Sequence, residues 1–239
     1  MYIGKALMPT IYFKEKEKML MITVDDIKKD SEVKTFLEKG NKYLGTMGFT
    51  EHSYRHVSLV SNIAFNILER LNYSKREAEL AAVAGYLHDI GNVVSREDHG
   101  QTGAVISYSI LNRLGMPVDE IATVISAIGN HEEQYGHAIN IVASALILAD
   151  KSDVHRSRVR NEDVSTFDIH DRVNYAAEHS FLTVNAEAKT ITMELTIDLE
   201  ISTVMEYFEI FLTRMIMCRR AADFLGCDFA LEINGAKLL

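Results

Sequence analysis

The feature that most constrains this chain is a histidine and an aspartate at the end of an apolar run. Residues 80–87 are apolar or small, His88 and Asp89 follow them directly, and Gly91 comes two residues later. An imidazole and a carboxylate buried side by side cost several kcal/mol unless they are paired or bound to a cation. The sequence therefore predicts a pair of metal ligands at the end of a buried helix.

The rest of the chain supplies side chains that match this pair, with one histidine upstream and two histidines and an aspartate downstream. Neutral imidazole nitrogens and carboxylates together suit one or two divalent ions, and ligand type alone does not separate iron, manganese, zinc and magnesium. The predicted metal ligands are His56, His88, Asp89, His99, His131 and Asp150.

The composition limits the classes of protein to which this chain can belong. A chain of 239 residues that is 47% hydrophobic can build one sizeable core with room for an appended subdomain. Its apolar stretches are shorter than the roughly 20 residues that span a bilayer, and its N-terminus has no signal-peptide core, so we expect no membrane partner and a cytoplasmic location. The net charge of -9 argues against a nucleic-acid backbone as the main partner. Cys218 and Cys227 are expected to be buried, reduced thiols.

Residues 51–159 have the pattern of successive amphipathic helices, and only Pro9 and Pro117 interrupt the whole chain. The second of these helices is predicted to start with a capping box from Ser74 to Glu77 and to end after Asp89, where Gly91 offers a left-handed exit. The expected helices cover approximately residues 56–68, 74–89, 102–114, 119–131 and 138–150. Each candidate ligand then lies at or near a helix end.

The pattern changes after about residue 165. Residues 180–185 and 189–197 alternate apolar and polar side chains, which predicts a β-hairpin, and a helix over 202–225 and a strand over 229–233 follow. The predicted fold is therefore mainly α, a helical core with a small C-terminal α+β subdomain. We expect an extension and lead-in helix at 1–45, with residues 1–18 of uncertain order, the metal-binding helical domain at 46–165 and the subdomain at 166–239. Whether that subdomain forms a lid, a dimer interface or an effector site stays open.

The order of the six ligands resembles the HD-domain superfamily of metal-dependent phosphohydrolases over about residues 50–160. The block at 87–91, Leu-His-Asp-Ile-Gly, resembles the core signature of that family, and Ile-Leu-Ala-Asp at 147–150 resembles its closing aspartate segment. His56, followed by Val60 and Ala64, resembles the opening histidine helix. His99 and His131 resemble the additional ligands of the dinuclear, six-ligand branch. The resemblance implies an HD-type core and a metal-dependent hydrolase.

A carboxylate has two oxygens to give to two ions, so Asp89 is the expected bridge. We assign His56, His88 and Asp150 to the first ion, and His99 and His131 to the second. Two ions can share a bridging hydroxide, lower its pKa and polarise the phosphoryl group that it attacks. Catalysis is therefore expected to depend on Asp89 and His88, and Glu132, Asp98 or Asn130 are candidates to orient the imidazoles.

Binding of the phosphate needs basic or polar groups near the metals. The family often has lysine after the glycine of the signature, whereas this chain has Asn92. The candidate substrate-binding residues are therefore Asn92, Lys151, Arg156 and Arg160, with Arg158 in the same basic cluster. The predicted reaction is hydrolysis of a small-molecule phosphomonoester or a nucleotide-like phosphate ester.

Other interpretations stay open. The same ligand set occurs in di-iron oxygenases of the myo-inositol oxygenase type, and a noncatalytic, metal-holding regulatory module is a third reading. His170 and Asp171 repeat the dipeptide in a polar setting, which favours a surface turn. The stripe Tyr207, Phe208 and Phe211 favours core packing or a homodimer contact over a ligand pocket. The remaining histidines are expected to be exposed or to support the ligands: His52, His137, His155 and His179.

Overall fold

The computed structural model describes residues 21–238. The predicted extension at residues 1–18 lies outside the described residues. Two helices precede the core, α1 (Val24–Lys29) and α2 (Ser31–Thr46). Asp30 separates them, and its carboxylate accepts hydrogen bonds from the backbone N–H groups of Glu32 and Val33 at the start of α2. The N-terminal region thus contributes a short helical lead-in.

Five helices form the core: α3 (Tyr54–Arg70), α4 (Lys75–Leu87), α5 (His99–Arg113), α6 (Val118–Gly129) and α7 (Ile141–Lys151). The predicted capping box at the start of α4 is confirmed, because Ser74 and Glu77 exchange side-chain and backbone hydrogen bonds. Residues 80–87 of α4 are all buried, since α4 packs against α3, α6 and α7. This central helix therefore carries the His88–Asp89 pair into the interior of the domain.

Gly91 does not provide the left-handed exit that the sequence suggested. It lies in a 3-10 helix, Ile90–Val93, and is not among the glycines with positive φ. A Cβ atom at this position would lie 2.0 Å from the carbonyl oxygen of His99 and 2.6 Å from the backbone nitrogen of Gly103. The glycine is required because the 3-10 helix packs directly on the start of α5.

The C-terminal part contains α8 (Ile169–Ala176), β1 (Ala177–Asn185), β2 (Thr190–Ile197), α9 (Val204–Phe224), β3 (Asp228–Ile233) and β4 (Ala236–Lys237). The strands form one sheet in the order β1-β2-β3-β4, with β2 and β3 parallel and the other pairs antiparallel. A parallel pair needs a crossover connection, and α9 supplies it. The predicted fold class, a mainly α protein with a small α+β subdomain, is confirmed.

Helix α9 joins the two parts, because it packs against both β3 and α7. Its buried side chains include Tyr207, Phe211 and Cys218. Both cysteines are buried and free, as predicted. Among residues 21–238, no helix is both long and apolar enough to cross a membrane.

Candidate metal centre

The six predicted ligands lie together at one end of the helical core, each at a helix terminus. His56 is in the first turn of α3, His88 and Asp89 follow α4, and His99 is the first residue of α5. His131 comes two residues after α6 ends, and Asp150 is the last but one residue of α7. His56 is 0% exposed and Asp89 is 4% exposed, so these polar groups need compensating partners.

Each of the four imidazoles is held through its Nδ1 atom. A carbonyl or carboxylate oxygen can only accept, so each Nδ1 carries the proton and each Nε2 presents a lone pair. The Nδ1 donors and their acceptors are His56 with Asp153 Oδ2 at 2.7 Å, His88 with Gly85 O at 2.8 Å, His99 with Arg96 O at 3.0 Å and His131 with Ile128 O at 2.6 Å.

The free Nε2 atoms converge in pairs. The Nε2 atoms of His56 and His88 are 3.2 Å apart, and those of His99 and His131 are 3.1 Å apart. Two lone pairs that face each other at this distance repel unless a positive charge lies against both. The donor set therefore fits a bound metal ion, because a cation is the partner that both nitrogens of a pair lack.

Asp89 lies between the two histidine pairs. Its Oδ2 atom is 3.4 Å from the Nε2 atoms of both His56 and His88, and its Oδ1 atom is 3.3 Å from Nε2 of His99. Within residues 21–238, Oδ2 is a buried atom with no hydrogen-bond partner. A buried carboxylate oxygen without a donor is a further sign that the site fits a cation.

Among residues 21–238, two groups of side chains could each hold an ion with ligand atoms within 4.8 Å of one another. The first group is His56, His88 and Asp150, which is the set assigned to the first ion from the sequence. The second is His88, Asp89 and His131, in which His88 replaces the expected His99. His88 thus belongs to both groups, while Nε2 of His99 lies 3.1 Å from Nε2 of His131 and 3.3 Å from Oδ1 of Asp89.

The carboxylates of Asp89 and Asp150 favour a positive charge beside His56 and His88. Burial lowers the pKa of His88, but Asp89 and Asp150 raise it by more, to about 10. The two carboxylates thus favour a positive charge beside His88, which a bound cation can supply. Burial, together with His99 and His88, holds the pKa of His131 well below its usual value, so this ring is neutral and can act as a ligand.

Asp153 supports His56 and was missed by the sequence analysis. It is buried two residues beyond the end of α7, and it also accepts hydrogen bonds from Arg55 at 2.9 and 3.2 Å. Burial raises the pKa of Asp153, but His56 and the arginines Arg158 and Arg55 together hold it well below its usual value. Its contact with His56 spans 97 positions, so no local motif identifies Asp153 in the sequence.

Of the three residues expected to orient the imidazoles, Glu132 is the one that lies near a ligand ring. Its Oε1 atom is 3.3 Å from Nδ1 of His99 and accepts from the backbone N–H of Gly100. Burial raises the pKa of Glu132, but the hydrogen bond with His99 and the charge of that ring lower it to about 2. Within the described residues, Asp98 and Asn130 make no hydrogen bond to a ligand imidazole.

A cavity of two compartments leads to the ligands. The compartment that contains candidate ligands, which we call the inner compartment, has a volume of about 410 Å³ and is lined by Asp89, His99, His131 and Asp150, among others. The outer compartment, about 560 Å³, lies against α8 and α9 and includes Phe211, so the aromatic stripe contributes to a cavity wall as well as to the core. The residues that line both compartments are Phe49, His52, Arg96, Glu133, Arg158 and Arg214.

The predicted substrate-binding residues lie in different places. Lys151 lines the inner compartment, and its Nζ atom donates to Asp150 Oδ2 at 2.7 Å. The amide of Asn92 donates to Asp89 Oδ1 at 2.8 Å, so Asn92 holds a ligand and does not line either compartment.

Arg156 and Arg160 lie outside both compartments. Arg156 pairs with Glu178 at 3.0 Å, and Arg160 donates to the carbonyl oxygen of Asn41 at 3.2 Å. Arginines from three separate segments line the cavity in their place: Arg96, Arg158 and Arg214.

Two other histidines, His52 and His170, line the cavity. His52 is buried and supports the site, because its Nδ1 donates to the carbonyl oxygen of Thr50 at 2.8 Å and its Nε2 accepts from Arg158 at 3.1 Å. His170 and Asp171 occupy the first turn of α8, not a loop turn, and line the outer compartment. Within residues 21–238, neither belongs to a group that could surround a metal ion.

Comparison with known proteins finds a family model that matches the segment carrying the candidate ligands. Residues 53–155 match the model of the HD domain, and this range contains all six candidate ligands. The uncharacterized protein MJ1020 of Methanocaldococcus jannaschii is 26% identical over 158 residues, which cover 57% of this chain. The chain spans 61% of the length of that relative. Residues 53–155 thus match an HD domain.

Proposed function

We propose that this protein is a metal-dependent phosphohydrolase that cleaves a small phosphomonoester or a nucleotide-like phosphate ester. One observation carries the proposal: two pairs of imidazole Nε2 atoms lie around Asp89, which lines the inner compartment of a cavity whose walls carry arginines and a lysine. Acceptor ligands at the inner end and cationic donors on the walls suit a substrate that is itself an anion.

The protein residues divide into two roles in this proposal. His56, His88 and Asp150 would hold one ion, His99 and His131 a second, and Asp89 would contribute one oxygen to each. When bound, such ions supply a Lewis acid for the phosphoryl oxygen and lower the pKa of the attacking water.

The second role belongs to the cavity walls. Lys151 lies beside Asp150, and its ammonium can reach a non-bridging phosphate oxygen from the inner compartment. Arginines on the walls offset the negative charge that a phosphate ester brings into a partly buried site. These groups orient the ester, while the outer compartment accepts the organic part of the substrate.

The experiment is a paired measurement of phosphate release and oxygen uptake. The purified protein is loaded with Mn²⁺ or Fe²⁺ and given a panel of mononucleotides, dinucleotides, sugar phosphates and p-nitrophenyl phosphate. We expect phosphate release that depends on metal, consumes no oxygen and is lost in Asp150→Asn. The matched control is Asp223→Asn, since Asp223 is an exposed aspartate on α9.

The same measurement separates the alternatives. Oxygen uptake with bound iron and no phosphate release would replace the proposal with a di-iron oxygenase. Metal binding without turnover of any ester on the panel would favour a metal-holding regulatory module. Phosphate release that is equal in Asp150→Asn and the wild type would contradict the assignment of the site.

A further inference from the structure

Helix α9 lies outside the HD domain and contributes an arginine to its cavity. The HD match ends at residue 155, whereas α9 covers Val204–Phe224. α9 packs against α7, the helix that ends with Asp150 and Lys151. Arg214 of α9 lines both compartments. The C-terminal unit therefore forms part of the wall around the metal centre.

The guanidinium of Arg214 is fixed on two sides. Its Nε atom donates to Oε1 of Glu133 at 2.9 Å, and its Cζ atom lies over the ring of Phe211, 4.1 Å from the ring centre. An ion pair and a stacked aromatic ring together leave little freedom for the side chain. Arg214 is thus held in a defined orientation before any ligand binds.

The terminal nitrogens of Arg214 remain available. Among residues 21–238, Nη1 and Nη2 donate to no protein acceptor. These two nitrogens carry four N–H groups in a planar fork, which matches the oxygens of a phosphate or carboxylate in a paired arrangement. A fixed guanidinium with an unused fork at a cavity wall is suited to bind an anion.

The other two arginines of the cavity are arranged differently. Arg158 is buried, and its donors are used by Asp153 O at 2.8 Å, His52 at 3.1 Å and Glu51 O at 3.3 Å. Among the described residues, Arg96 donates one long hydrogen bond, 3.4 Å, to Asn92, lies 3.8 Å from Asp89 Oδ1, and places its Cζ atom 5.9 Å from the centre of the Phe49 ring. Arg214 therefore combines a fixed position with a free fork, whereas Arg158 is engaged and Arg96 is loosely held.

We propose that Arg214 is the anion anchor of the site and binds the phosphoryl group of the substrate. The C-terminal α+β unit then completes the substrate-binding site of the HD domain. The positively charged fork of Arg214 selects among substrates by their charge. Esters with a dianionic terminal phosphate bind well, and uncharged analogues do not. The assignment of the phosphoryl group rests on the proposed function, whereas anion binding by Arg214 does not require turnover.

The test measures binding of inorganic phosphate to the metal-loaded protein by calorimetry, alongside kcat and KM for the best ester. Arg214→Met retains an apolar side chain over Phe211, and Arg214→Lys retains the charge without the fork. Arg220→Met is the matched control, because Arg220 is an exposed arginine on the same helix. Metal content and the thermal midpoint are recorded for every variant.

We expect Arg214→Met to weaken phosphate binding and raise KM by about 10- to 100-fold, the size expected for a lost charge-assisted pair. Metal content should stay unchanged, Arg214→Lys should recover part of the affinity, and Arg220→Met should behave as wild type. Phosphate affinity and KM that are unchanged in a folded Arg214→Met would overturn the anchor and leave the proposed hydrolase intact. Phosphate binding that depends on Arg214, in a protein that hydrolyses no ester, would support the anchor and refute the hydrolase.

Discussion

The Nε2 atoms of His56 and His88 face each other at 3.2 Å, although their rings come from different helix ends. Each ring is anchored on its opposite side, His56 by Asp153 and His88 by the carbonyl oxygen of Gly85. Neither ring can turn away without breaking a buried hydrogen bond. The two nitrogens are therefore preorganised around a position where a cation satisfies both, and this position is the centre of the proposed site.

Asp153→Asn should weaken metal binding without removing a ligand. The amide cannot replace the carboxylate as a charged acceptor, so the tautomer and orientation of His56 are no longer fixed. Loss of such an outer partner typically lowers metal affinity by about 10- to 100-fold. Competition with a chromogenic chelator measures this change, with Asp223→Asn as the control. An affinity equal to that of the wild type would show that Asp153 does not position His56.

Gly91→Ala should disrupt the packing between the 3-10 helix and α5. The new Cβ would lie 2.0 Å from the carbonyl oxygen of His99, so backbone must move, and we expect a loss of about 3 kcal/mol or more in the free energy of unfolding. Gly115→Ala is the comparison: Gly115 has φ of 84° and no atom near the added Cβ, so it should lose only about 1–2 kcal/mol. Urea denaturation measures both, and equal losses would contradict the packing argument.

Much of the fold was predictable because its signals are local. The capping box at Ser74 marks the start of α4, and alternation of side chains predicts β1 and β2. The six candidate ligands were also identified from local motifs. Helix ends were less accurate: α6 ends at Gly129, whereas the predicted helix extended to His131. His131 leaves the helix, and its Nδ1 turns back to the carbonyl oxygen of Ile128.

Glu132 was predicted as a supporting residue because it is close to a ligand in the sequence, whereas Asp153 and Arg214 were not predicted, because their contacts join distant segments. Asp153 and His56 are 97 positions apart, and Arg214 and Glu133 are 81 positions apart. No spacing rule connects such pairs before the helices pack. The basic cluster at 156–160 suggested phosphate binding by composition alone, yet Arg156 is engaged with Glu178 and Arg160 with Asn41. The parallel pairing of β2 with β3, which α9 connects, was also not predicted, because it depends on a contact between distant segments.

Glu206→Gln should destabilise the start of α9 in a manner that depends on pH. Hydrogen bonds from the backbone of Thr203 and from the side chain of Arg172 lower the pKa of Glu206 from 4.5 to about 2. A lowered pKa stabilises the folded state fully above pH 4.5, and this contribution is lost as pH falls from 4.5 toward 2.

Urea unfolding at pH 7 and at low pH tests this dependence. The wild type should be more stable than Glu206→Gln at pH 7, and the difference should shrink as Glu206 becomes protonated. The exposed Glu209 on the same helix provides the control substitution, Glu209→Gln, which should have little effect at either pH. A difference that is independent of pH would refute the role of the Glu206 carboxylate.

The two cysteines should be unreactive in the folded protein. Burial raises the pKa of Cys218 to about 12 and also raises the pKa of Cys227, so both are protonated near pH 8. Because the thiolate is the reactive form, Ellman's reagent should titrate neither thiol quickly in buffer and both in denaturant. Rapid reaction in buffer would mean that α9 or the start of β3 opens readily.

The most direct test of the account is the metal content of Asp89→Asn beside that of the wild type, measured by elemental analysis after reconstitution and removal of loosely bound ions. Asp171→Asn is the control, because Asp171 belongs to the second histidine–aspartate dipeptide of the chain. We predict about two ions per chain in the wild type and in Asp171→Asn, and a large loss in Asp89→Asn, whose side chain faces both histidine pairs. A wild-type protein that retains no ion, or equal metal content in all three proteins, would contradict the metal centre itself.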